Sequence, residues 1–430
     1  MRHTSTRRRA AHGLTVAALL GSSAFLAPTA SAATNTDGLW YFTDTGIAEA
    51  QQIANGAGVE IALIDSTVNP SAPDLVGTSL SVREPSYCAE SEGGEARPAT
   101  GTSERAQHTT TMAALLIGTG AGFPGDPGIK GVAPGAHVTV YDRTNGNVCP
   151  VPGAQEHSSS QAFADAVAAG ADIVVVPGET SVPSEDLSQA VRAGVVVIGA
   201  GGNRGGEVSG EPATRNGAIA TGTTAVDGSI DPGSASGPEL GLLAPGTAIR
   251  TIDPTLTYYG TSTGSSHSSV ITAGVIALAM SAHPGVTSNQ ILQAVVRTTD
   301  GSVHEPVRDE TRGYGALDVR QLMAVDPTAF PDVNPFIRTD ADAIPSAEDL
   351  GLVLETAAPE SGDPTSPAVD VTPPALGQPE DGPNLVLVGG AVVGALLLAA
   401  IVYAIVIVRR RAHSAVTDQE SQQHGGHTHG

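Results

Sequence analysis

The chain has 430 residues, a formal net charge of −23 and only 3% aromatic residues. An acidic balance of this size argues against nucleic acid as a partner, because phosphate recognition needs basic surface. The length accommodates one large domain with appendages.

In chain order, Arg7-Arg8-Arg9 precede an apolar stretch from Leu14 to Leu26 and then Ala30-Ser31-Ala32. A basic start, an apolar run too short to span a bilayer comfortably and a small-residue cleavage site describe an export signal over residues 1–32. Residues 33–57 are read as an N-terminal extension whose fate, removed or retained, is open. From residue 58 short apolar β-branched runs alternate with helical patterns. The runs are "GVEIALID" (58–65), "HVTVYDR" (137–143), "ADIVVVPG" (171–178) and "AGVVVIGAGG" (193–202). The helical patterns are "TTMAALLIG" (110–118), "SQAFADAVAAG" (160–170) and "SEDLSQAVRAG" (184–194). Runs of this kind suit strands buried on both faces, and the alternation predicts an α/β domain over 58–327 with a central, mostly parallel sheet and helices on both faces. Ligands are expected at the C-terminal ends of its strands.

Residues 328–383 are rich in Asp, Glu, Pro, Ser and Thr and read as an acidic linker. Leu385 to Val408 then runs without a charge and ends at Arg409-Arg410-Arg411. This predicts one transmembrane helix over 384–408, with the body outside and residues 409–430 as a cytoplasmic tail. The tail closes on "HGGHTHG" and reads as solvated polypeptide. Cys88 and Cys149 are the two cysteines; outside the cytoplasm such a pair is expected to form a disulfide.

Four chemistry-bearing residues fall at element ends. Asp65 closes the first clear run, His108 opens a buried helix, Asn203 follows a strand, and Ser262 or Ser266 opens the last long helix. Nucleophilic catalysis by serine needs a base, a carboxylate to orient it and donors for the oxyanion. A helix begun at Ser262 would hold Gly264 in its first turn, at up to about 1 kcal/mol against Ala. One begun at Ser266 runs cleanly to Pro284.

The order Asp, His, Asn, Ser with these neighbours resembles the subtilisin-like serine proteases. "GVEIALIDS" looks like their Asp strand, "HTTTMAALLIG" like their His helix, "GVAPGAHVTVYDR" (131–143) like their Gly-Val-Ala-Pro strand and "VVVIGAGGNRG" (195–205) like their oxyanion segment. "GYGALD" (313–318) is similar to their closing segment. The resemblance covers residues 40 to 325. It implies a subtilisin-like fold and a protein or peptide substrate, with no cofactor and no metal. Asp65, His108 and Ser266 would be the triad, and Asn203 the oxyanion donor. Ser266 is chosen over Ser262 because Ala273-Gly274 and His283-Pro284 match the family's nucleophile helix when counted from it. The export signal, linker, anchor and short basic tail, with the segment around Trp40, resemble the mycosins, membrane-anchored subtilases of type VII secretion; this implies the cell membrane and the secretion complex as partners.

Some positions depart from the pattern. Ser66-Thr67 and Thr109 replace residues that include family glycines, His267 replaces Met, Val270 replaces Pro, and Pro177-Gly178-Glu179 stands at the substrate strand. Thr109 is expected to crowd the turn that aims His108, and Pro177 to withhold a donor from substrate. A catalytically impaired subtilase serving as a structural component is the alternative reading. A dinucleotide enzyme fits poorly, since the glycines of "GAGGNRG" are misspaced.

Overall fold

The computed structural model describes residues 37–89, 94–143 and 158–352. The expected export signal, the transmembrane helix, the cytoplasmic tail and Cys149 lie outside them.

Two short helices, α1 (Trp40–Thr43) and α2 (Ile47–Ala50), lead into β1 (Glu60–Asp65) and β2 (Leu80–Arg83). There follow α3 (Gln107–Ile117), β3 (His137–Asp142), α4 (Ser158–Ala168), β4 (Ile173–Val176), α5 (Ser184–Arg192) and β5 (Val196–Ala200). The second half adds β6 (Ile219–Thr224), β7 (Leu240–Pro245), β8 (Ile249–Ile252) and β9 (Tyr259–Ser262), then α6 (Ser265–Ala282), α7 (Ser288–Arg297) and α8 (Val319–Leu322).

Seven strands form one parallel sheet in the order β2-β3-β1-β4-β5-β6-β7, while β8 and β9 pair separately and antiparallel. Side chains alternate across a strand, and the two faces collect different cores. Ile61 and Leu63 of β1, Val138 and Val140 of β3, and Ile173 and Val175 of β4 pack with α3, α6 and α7. Ala62 and Ile64, Tyr141, and Val174 and Val176 pack with α4 and α5. Both faces are covered, which is why these strands read as continuous apolar runs. By the same alternation Asp65 and Asp142, register partners at the ends of β1 and β3, face the α3/α6 side.

The chain fills one side of the sheet from β1 and the other from β4. Those two strands are neighbours, so their C-terminal ends flank the point where strand order reverses, where open α/β sheets leave a crevice. Helix α6 crosses beneath. It is long and apolar enough to cross a membrane, but 78% of it is buried in the domain. At Gly274 it comes so near the 131–143 segment that an added Cβ would stand 2.6 Å from the Val132 Cβ. The close approach explains a helical glycine that otherwise costs about 1 kcal/mol.

Two segments flanking residues 58–327 pack against the domain. The N-terminal extension is part of the core from Leu39 onward: Tyr41 is fully buried and Trp40 nearly so, and their polar tips bond Lys130 O (2.6 Å) and Thr247 O (2.9 Å). Within the stretch expected to be a linker from residue 328, the described residues up to 352 pack on the body. Phe336 joins the α3/α6 core and stacks edge-on to Tyr314, and Leu350 joins the α4/α5 core. Buried Asn216 binds the strap through both amide atoms, giving to Arg338 O and Pro345 O and accepting from Arg338 N. Phe336 and Leu350 are the large apolars that anchor it.

Candidate active site

Asp65 ends β1, and His108 is the second residue of α3. The imidazole Nδ1 sits 2.7 Å from the Asp65 Oδ2; the carboxylate is 12% exposed and the imidazole 41%. A carboxylate accepts, so Nδ1 carries the proton and Nε2 holds the free lone pair. Burial alone would lower the pKa of His108; the charge and hydrogen bond of Asp65 outweigh it and raise the pKa above the ordinary histidine value.

Three consecutive threonines after His108 hold α3 in place, and all are fully buried. Thr109 Oγ1 accepts from the Ser66 N–H at 2.9 Å and lies 2.8 Å from the Ser66 hydroxyl. Thr110 accepts from the Asn69 N–H, and Thr111 from the Ile252 N–H. The expectation that Thr109 crowds the His108 turn is therefore corrected. Ser66 and Thr109, two departures from the family pattern, are partners of one another and clamp the residue after Asp65 to the residue after His108.

Asn203 lies three residues beyond β5, and Ser266 is the second residue of α6, whose N-cap is Gly264. Asn203 Oδ1 accepts from the Ser265 N–H (2.7 Å) and the Ser265 hydroxyl (2.9 Å). It thereby supplies the helix cap that the local chain does not, and the backbone donor fixes which amide atom is oxygen. The Nδ2 group is left for the cavity. That cavity, of about 330 Å³, is lined by His108, Asn203, Ser266, Pro177 and Glu179 among others. The Ser266 hydroxyl donates to Pro177 O at 2.6 Å. One hydroxyl has one proton, so while it is given to Pro177 O it is not given to His108, and the hydroxyl must turn to engage the base. Pro177 enters this contact through its carbonyl.

Ser262, at the end of β9, instead lies 3.0 Å from His267 Nε2. His267 Nδ1 faces Gly264 O at 3.3 Å, so Nδ1 donates there and Nε2 accepts from Ser262. Burial lowers the His267 pKa to about 4, with nearby His108 pushing the same way. The unfolded residue titrates near 6.5, so between these values only the unfolded chain takes up the proton. Stability is expected to fall by up to roughly 3 kcal/mol as pH drops from about 6.5 to about 4. His108, whose folded pKa is raised, contributes with the opposite sign: its stabilisation is complete below the unfolded value and is lost as pH rises through the folded one. Urea midpoints measured against pH should show the acid loss in the native chain and a flatter limb in His267→Met. An unchanged limb would refute the buried neutral imidazole.

Residues 56–315, more than half of the chain, match the Peptidase S8, or subtilase, family. The chain belongs to the subtilase family. Subtilisin E of Bacillus subtilis is 30% identical over 248 residues, covering 55% of this chain and 59% of that protein. The thermostable alkaline protease of Halalkalibacterium halodurans is 30% identical over 254 residues, covering 56% and 62%. The chain thus spans about three-fifths of these relatives' lengths. Among solved structures, the prenylagaramide maturation protease PagA aligns with TM-score 0.52 at 21% identity, over 65% of this chain and 98% of that one. The MycP3 protease from the type VII (ESX-3) secretion system aligns with TM-score 0.52 at 20% identity, over 69% and 90%. At these identities the likeness is one of fold.

As a subtilase, the chain draws its candidate residues from β1, α3, the segment after β5 and α6. Ser265 was not singled out from sequence, and its only signal was its place before the nucleophile candidate. Cys88 is fully buried and is not a free thiol.

Proposed function

We propose that this subtilase is an extracytoplasmic serine endopeptidase anchored by a single C-terminal transmembrane helix. The reading rests above all on one observation: His108 is oriented by Asp65 at 2.7 Å and lines the same cavity as Ser266 and Asn203. Ser266 Oγ turns from Pro177 O toward His108 Nε2, gives up its proton and attacks the scissile carbonyl. Asp65 stabilises the imidazolium without accepting the proton. The oxyanion is met by Asn203 Nδ2 and by the Ser266 N–H in the first turn of α6, where the helix dipole also favours it. The imidazolium then protonates the leaving amine, and water, activated by the same base, releases the acyl group from Ser266.

Export, anchoring and a mycosin-like place in type VII secretion are supported by the chain's terminal segments and by the fold likeness to MycP3. The reading includes a Cys88–Cys149 disulfide, in keeping with an oxidising compartment. The alternative, an impaired subtilase kept as scaffold, loses one of its grounds in the Ser66–Thr109 bond.

A fluorophosphonate probe should label the native chain. Labelling and peptide hydrolysis should both fall as pH drops through a pKa above about 6.5, the ordinary histidine value, since only neutral His108 can act as base. A chain that is folded yet unlabelled at pH 8 would refute the reading. Asn203→Ala should lower kcat by about 10²–10³-fold while KM moves little; a change confined to KM would remove Asn203 from the oxyanion site.

A further inference from the structure

The helix that carries His108 has no capping side chain of its own: its N-cap is Ala106. What holds the first turn comes from just past the end of β1. We propose that Ser66 and Thr109 act together as positioning residues for catalysis, setting the approach of His108 to Asp65. This rests on the peptidase reading above. The hydrogen bonds leave one consistent assignment of protons. The Ser66 hydroxyl donates to Arg105 O at 3.0 Å. In the 2.8 Å contact between the two hydroxyls, Thr109 is therefore the donor and Ser66 Oγ the acceptor. The Ser66 N–H donates back to Thr109 Oγ1 at 2.9 Å. Each proton is used once, and both residues are buried.

Ser66, next in the chain to Asp65, thus grips the His108 turn on both sides. It holds Arg105, three residues before the histidine, and Thr109, the residue after it. Asp65 and His108 are each one peptide away from a member of the pair, and their side chains meet at 2.7 Å. Little chain lies between the clamp and these two groups to absorb slack. A misplacement of 1 Å at such a site can cost about 10²-fold in rate, so residues that support the reacting groups count even without touching substrate. The family pattern has glycine where this chain has Thr109, and glycine has no hydroxyl. Glycine there would take from the buried Ser66 N–H the acceptor it uses here. Restoring the family's residue is therefore expected to loosen the site and not to improve it.

The test uses the full chain with Thr109→Val, Thr109→Gly and Thr109→Ser. Valine keeps the volume and removes the hydroxyl; serine keeps the hydroxyl. Thr109→Val and Thr109→Gly should lower kcat by about 10- to 100-fold while KM moves little, and Thr109→Ser should retain most of the native rate. Carbethoxylation of His108 by diethyl pyrocarbonate, followed against pH by mass spectrometry in a Ser266→Ala background, gives a readout without turnover. The reagent takes neutral imidazole, so the profile reports the charge on His108. Asp65 on β1 favours the charged form, and among the described residues His267 on α6 is the other titratable group within electrostatic reach. Loosening the contact with Asp65 should move the profile to lower pH in Thr109→Val and Thr109→Gly and leave it in place in Thr109→Ser. If Thr109→Val does not fold, Ser66→Ala, which spares the N–H but releases Arg105 O, should give a shift in the same direction. Native kcat with a native profile in the folded variants, a Thr109→Gly chain at least as active as the native one, or a lower urea midpoint with both readouts unmoved would each overturn the proposal. A profile that depends on the Thr109 hydroxyl in a chain without hydrolysis or probe labelling would uphold the positioning pair and defeat the peptidase reading instead.

Discussion

Ser266→Ala is expected to abolish fluorophosphonate labelling and to lower peptide hydrolysis by on the order of 10⁶-fold, the scale of removing a triad nucleophile. Ser262→Ala should leave labelling in place. Both serines follow a glycine-containing tripeptide, and both are near a histidine, so the contrast depends on geometry. Ser266 lies in the first turn of α6, on the cavity shared with Asn203 and the Asp65-oriented His108. Ser262 is given to His267, whose Nδ1 rests on a neutral carbonyl and not on a carboxylate. An imidazole held near pKa 4 by burial is a weak base, and no carboxylate stands behind it to stabilise the imidazolium. Labelling that vanishes only in Ser262→Ala would reverse the assignment. Circular dichroism on both variants separates lost chemistry from lost fold.

Much of this arrangement was legible in the sequence because the sheet is buried on both faces. Runs such as "IVVV" in β4 carry their burial openly, and Asp65, Pro177 and Asn203 end such runs where ligand groups belong. Strands β6 and β7 were not legible. "IATGTT" and "LGLLAP" mix glycine, threonine and proline, and they become strands as fully buried extensions of the sheet beyond β5. The strap over 328–352 was missed for a related reason. Its docking depends on a few anchors, Phe336 and Leu350 with the amide of Asn216, set in an otherwise polar stretch. Ser66 and Thr109 show a different limit. Each looked like a defect when set against a pattern, and only their 2.8 Å separation reveals that one accommodates the other. Partners 43 residues apart leave no local periodicity to read.

Arg97→Ala is expected to cost about 3–5 kcal/mol, the usual scale for removing one member of a buried ion pair. Arg97 Nη2 meets Asp142 Oδ1 at 2.8 Å, with side-chain exposures of 3% and 0%. Thr67 Oγ1 adds a bond to the same carboxylate at 3.1 Å. The consequence should reach the candidate active site, because Asp142 is the register partner of Asp65 on the same face of adjacent parallel strands, which lie about 4.8 Å apart. With the guanidinium gone, a second negative charge beside Asp65 favours protonated His108, so the acid limb of activity should move to higher pH as stability falls. Removing the carboxylate together with the guanidinium, as Arg97→Met with Asp142→Asn, takes away the buried charge and should recover most of the stability and return the acid limb toward its native position. Urea unfolding gives the first quantity and the pH dependence of kcat/KM the second. If Arg97→Ala unfolds at the native urea midpoint, the buried pair is not what holds this end of the sheet. If stability falls while the acid limb stays fixed, Asp142 is electrostatically isolated from Asp65, and the link between them is one of packing alone.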